Sequence, residues 1–196
     1  MIPSMDARLA SLIVALEKTI IPALSKRDSL AHEQASLLMA HLKVIRTHMD
    51  HAVRFEQIEL LQARSLARQI LAISAAPELA SEAVGLLAAA SEQSHLAHLP
   101  GEVRSATERV NAAIEQLVNI VGHEGHDRYS SVLMELVLAH VADKSHYDRA
   151  WYVGMGFEPD AGRFPSIEQL MHELESRSQT GEWLAASPAS ASRPAP

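Results

Sequence analysis

The densest group of ionisable side chains runs from Gly122 to Tyr129, GHEGHDRY, with His123, Glu124, His126 and Asp127 inside five residues. Imidazoles and carboxylates are the side chains that hold divalent metals and move protons. The standard helical metal motif is not met: HEGH falls one residue short of HExxH. Each residue also has a local use. Gly122 suits the end of a preceding helix, His123 suits the negative pole of that helix, and Asp127 suits the N-cap of the next. The stretch is expected to be a connection between two helices.

A second constellation is spread along the chain. Glu56 and Glu59 lie one helical turn apart, as do His140 and Asp143. In both cases they share a face with apolar residues, where ionisable groups are costly unless partnered. Two carboxylates meeting a histidine and a third carboxylate would make a site for Mn, Fe or Mg, and so for a metal-dependent hydrolase or oxidase. Lys144 on the same face offers a different outcome, an ion-pair network with Glu56 or Glu59. Without a metal, a carboxylate beside His140 could serve acid–base chemistry. No catalytic residue is assigned.

A third group is aromatic. Five of the eight aromatic residues, Tyr147, Trp151, Tyr152, Phe157 and Phe164, fall within 18 residues. With His48 and His140, the residues Tyr147, Trp151 and Tyr152 are candidates for binding a small apolar ligand. The same aromatics would also fill a corner that docks a short following helix. Trp183, near the C-terminus, suits an anchor for a partner or for the chain itself.

Helices must position all of these. Apolar residues recur at three- and four-residue spacing over 4–21, 30–74, 77–94, 102–121 and 127–153, with a shorter helix over 166–178. The fold class expected is all-α: an antiparallel bundle of four to five main helices over 1–178. A Pro/Ser/Ala-rich tail over 179–196 is expected to be disordered. The second helix, 30–74, contains no proline or glycine. Unbroken, it would be roughly 68 Å long, against roughly 40 Å for a compact domain of this size. It is therefore very long or broken. THMDH, 47–51, has the poorest helix propensity of its interior and is the expected break. An unbroken helix would protrude and pair with a second subunit.

Composition narrows the function classes. The chain is 47% hydrophobic and 4% aromatic, with a formal net charge of −7. An acidic chain repels phosphate backbones, so no nucleic-acid partner is expected. The absence of cysteine removes disulfides, thiolate catalysis and Cys-based metal sites. The first residues read as an amphipathic helix and no long apolar run follows, so a cytoplasmic location and no membrane partner are expected. Phosphate-loop, dinucleotide-binding and nucleophile-elbow motifs are lacking. A single ExxH, Glu92–His95, is too little for a di-iron bundle. The expected function is non-catalytic binding of a protein partner or a small apolar ligand by a homodimer. The alternative is the divalent-metal enzyme, its site between the second and fifth helices.

Overall fold

The computed structural model describes residues 2–74, 76–122, 128–156 and 158–180. His123, Glu124, His126, Asp127, Phe157, Trp183 and the tail beyond 180 lie outside the described residues. The fold is all-α and bundle-like, with no strand among the described residues. None of their helices is long and apolar enough to cross a membrane. The chain divides into two compact units. One holds the residues up to Ala52 together with Tyr147–Met171. The other holds Val53–His146 and the described residues from His172 onward.

The first unit begins with α1, Met5–Ala15, capped by Ser4, whose Oγ accepts from the Ala7 amide at 3.2 Å. Leu9, Ile13 and Leu16 lie on one face and are buried. The helix then widens to a π turn over Leu16–Ile20 before α2, Ile21–Ala23. Pro22 accounts for this, because it has no N–H to donate to the carbonyl four residues back, and a locally wider register accommodates it. Next, α3, Ser29–His48, starts at Asp28, whose Oδ1 accepts from the Ala31 amide at 3.0 Å. It ends in a turn at residues 49–51, inside the stretch expected to break. The second helix is therefore broken.

The break changes which stripe is buried. On one unbroken helix over 30–74, Leu38, Val44 and Ile45 would share an apolar face with Phe55, Leu66 and Ile70. In the structure α3 buries none of its residues, and Leu38 and Ile45 are half exposed. After the turn, α4 (Ala52–Leu71) does bury Phe55, Leu66 and Ile70. Because the helix is interrupted at 49–51, one continuous wheel does not describe both halves.

The second unit is built from α4, α5 (Ser81–Gln93), α6 (Pro100–Gly122), α7 (Arg128–Tyr152) as far as His146, and α8 (Ile167–Thr180) from His172. Its main core gathers Leu66 and Ile70 of α4, Leu87 of α5, Val110, Leu117 and Val121 of α6, and Leu133 of α7. Leu87, Leu117 and Leu133 are fully inaccessible. Pro77 precedes a 3-10 turn, Glu78–Ala80, rather than opening a helix directly. Pro100 is the first residue of α6. The Glu102 carboxylate reaches back to accept from the amides of His98 and Leu99 at 3.1 and 3.0 Å. These two donors hold its pKa below the usual carboxylate value.

Candidate ligand-binding cleft

Two groups of sequence candidates separate at this point. The charged group belongs to the second unit, and there its charges are matched in pairs. Lys144 Nζ donates to Glu59 Oε1 at 2.6 Å, and Arg104 Nη2 donates to Glu56 Oε1 at 2.8 Å. Arg177 grips Asp143 through both carboxylate oxygens, at 3.1 and 2.8 Å. Among the described residues, no group of three or more His, Cys, Asp or Glu is placed to hold a metal ion. Glu56, Glu59, His140 and Asp143 are therefore not assembled as the metal-binding set considered from sequence. The physical reason is that each carboxylate has found a cation, which satisfies the same electrostatic need that a metal would. Lys144 takes Glu59, the network outcome. His140 is half-buried on α7, in this unit. Arg104 and Arg177 completed the matching, and sequence reading had overlooked both because they belong to helices not paired with the candidates.

The aromatic group belongs to the first unit, where a cleft of about 710 Å³ opens between α3 and the end of α7. One wall comes from α3, the turn after it and the first residue of α4: His41, Val44, Ile45, His48, Met49 and Ala52. The spacing 41, 44, 45, 48 is a single face of α3. The other wall comes from Trp151, Tyr152, Met155 and Glu158. The chain can turn back here because Gly156 takes φ 81°, a left-handed conformation closing the 3-10 turn Val153–Met155. Gly154 permits a close approach: a Cβ there would sit 3.3 Å from Val44 Cγ2.

Of the five ligand-binding candidates, His48, Trp151 and Tyr152 line this cleft. Tyr147 is buried in the same unit and does not line it, and His140 belongs to the other unit. Ring centroids of His48 and Trp151 are 4.3 Å apart and the planes are tilted by 30°. Burial lowers the His48 pKa, and the nearby His51 lowers it further. At neutral pH His48 is accordingly an uncharged imidazole stacked on an indole. Glu158, the one acid in the lining, receives two hydrogen bonds from Arg149 at 2.9 and 2.7 Å, which hold its pKa down. Arg149 in turn lies 5.0 Å from the centroid of the Phe164 ring. The cleft therefore presents apolar surface, two imidazoles and a charge that is already compensated. The sequence reading omitted His41, Val44, Ile45, Met49 and Met155. The helical spacing of the first four was visible, but it resembled a core stripe.

A smaller cleft of about 260 Å³ lies alongside in the same unit, and Val44 and His48 line both. Its other walls include Lys43, Thr47, Pro165, Ser166 and Glu168. Ser166 opens α8 as a reciprocal cap: its amide donates to Gln169 Oε1 at 2.9 Å, and its Oγ accepts from the Gln169 amide at 3.3 Å. Comparison with protein-family models, curated proteins and solved structures finds no match to this chain.

Proposed function

We infer that this chain is a non-catalytic cytoplasmic binding protein whose first unit takes a small, largely apolar ligand. The observation that carries this reading is the cleft at His48 and Trp151. Its volume falls in the range of small-molecule sites, and its walls combine apolar side chains with a few polar groups. Trp151 and Tyr152 offer ring faces, Met49 and Met155 adapt to irregular shapes, and the imidazoles of His41 and His48 supply hydrogen bonds. Of the ionisable side chains that suggested an enzyme, Glu56, Glu59 and Asp143 are engaged in ion pairs.

Titration calorimetry with 1-naphthol tests the reading. The wild-type protein should bind it saturably with one site per chain, and Ile45→Glu should weaken binding at least roughly tenfold by placing a charge in the apolar wall. Ile45 is half exposed, so this change leaves the fold intact. Unchanged binding by Ile45→Glu, or no saturable heat in the wild type, would refute the assignment.

A homodimer is favoured by a separate observation. All residues of α3 are at least partly accessible, and Leu30, Leu38 and Ile45 are 64%, 50% and 52% exposed. A 20-residue helix with so much apolar surface in water is stabilised when a second chain covers it.

A further inference from the structure

We propose that the cleft at His48 and Trp151 is proton-linked. It holds an uncharged apolar ligand while His48 is a neutral imidazole, and releases it once His48 takes up a proton. This rests on the small-ligand reading of the cleft and adds its regulation. His48 lines the cleft from α3, one turn after Val44, and its ring stacks on Trp151 with centroids 4.3 Å apart. It is half-buried, so it keeps part of its contact with water. A ligand seated against it removes more of that water. The Trp151 ring face accepts either form of the imidazole. Covering the ring with apolar surface costs the charged form far more than the neutral one.

The walls do not compensate that cost. Glu158, the one acid among the described residues of this cleft, already receives two hydrogen bonds from Arg149. Glu168 lines the smaller cleft and not this one; it accepts from Ser166 Oγ at 2.8 Å, and its field acts on His51. The other ionisable groups around His48 include His41 and Lys43 on α3 and His51 in the turn after it. Each of these three is neutral or cationic, never anionic. The two glutamates favour a charge on His48, and burial outweighs them. Its pKa lies below 6.5, with burial the larger cause and His51 the smaller. A ligand that covers the ring lowers it further. Linkage is reciprocal, so protonation weakens the ligand by the same factor, and binding below pH 6.5 expels part of a proton. Affinity is full above pH 6.5 and falls as pH drops through the folded value.

1-Naphthol is uncharged at both pH 7.5 and pH 5.5, so its calorimetric titration into the full chain reads protonation of the protein alone. Its affinity should be at least roughly twofold weaker at pH 5.5. Titrations at pH 5.5 in acetate and in Mes, buffers whose ionisation heats differ, should show part of a proton expelled per ligand bound. His48→Gln should remove most of both effects. His41→Gln should retain them, because His41 is exposed and keeps its water. Equal affinity at the two pH values with no proton expelled, or a response that survives His48→Gln, overturns the proton link and leaves the small-ligand reading standing. No binding of 1-naphthol at pH 7.5 overturns both.

Discussion

His48 shows how one side chain can be tuned by its surroundings. Burial against Trp151 and the field of His51 favour its neutral form, so its folded pKa lies below the 6.5 of an ordinary histidine. The cleft walls around it also carry His41, Lys43, Glu158 and Glu168. An unfolded chain binds a proton at this residue before the folded chain does. Stability is therefore full above pH 6.5 and declines as pH falls from there through the folded value. Urea midpoints at pH 7.5 and 5.5 should show a smaller loss for His48→Gln than for the wild type. An identical loss in both would show that His48 is not the group responsible. In the second unit, Asp143 and Arg177 are mostly buried, at 12% and 18% side-chain exposure. Removing Asp143 with Asp143→Ala leaves a buried guanidinium without its bidentate partner, at a cost of about 2–3 kcal/mol. Chemical denaturation measures this directly. A cost near zero would mean that the pair is solvated.

The elements were largely legible, because apolar periodicity and capping residues are local signals. Helices appear where Leu9, Ile13 and Leu16, or Val103, Val110, Leu117 and Val121, recur on one face. The break after His48 was legible from the weak helix formers Thr47 to His51. What could not be read was its consequence: once the helix is interrupted, the stripe of α4 no longer indicates which residues of α3 are buried, and Leu38 and Ile45 are half exposed. The cleft was half legible for the same reason. The aromatic cluster marked one wall, but the opposite wall looked like a core stripe until the turn freed it. The carboxylates of Glu56, Glu59 and Asp143 were correctly singled out as needing partners, and sequence could not say whether these would be metals or the cations of Arg104, Lys144 and Arg177. The turn that closes the second wall depends on Gly156 at positive φ. Gly156→Ala should cost about 1–2 kcal/mol, seen as a lower urea midpoint. An unchanged midpoint would mean that the turn adapts without strain.

For the whole molecule, the formal net charge is −7, and Glu56, Glu59 and Asp143 are each paired with a cation. The proposed association rests on exposed apolar surface rather than on charge steering. The exposed apolar residues Leu30 and Leu38 of α3 are the expected seam of a homodimer. Light scattering coupled to size-exclusion chromatography should give twice the 21.4 kDa chain mass for the wild type. Leu38→Glu, altering a half-exposed residue outside the cleft lining, should return the single-chain mass. A wild-type monomer at all concentrations would remove the dimer and leave the cleft reading untouched.

Trp151 reports on that reading at the place where it is made. Its indole lies in the cleft wall beside His48, and the only other tryptophan is Trp183. In a ¹⁵N-labelled Trp183→Phe protein, the single remaining indole N–H resonance belongs to Trp151. Titration with 1-naphthol should move that resonance saturably, and Ile45→Glu should abolish the movement. If 1-naphthol binds while the Trp151 resonance stays fixed, the ligand sits elsewhere and the cleft is not the functional site.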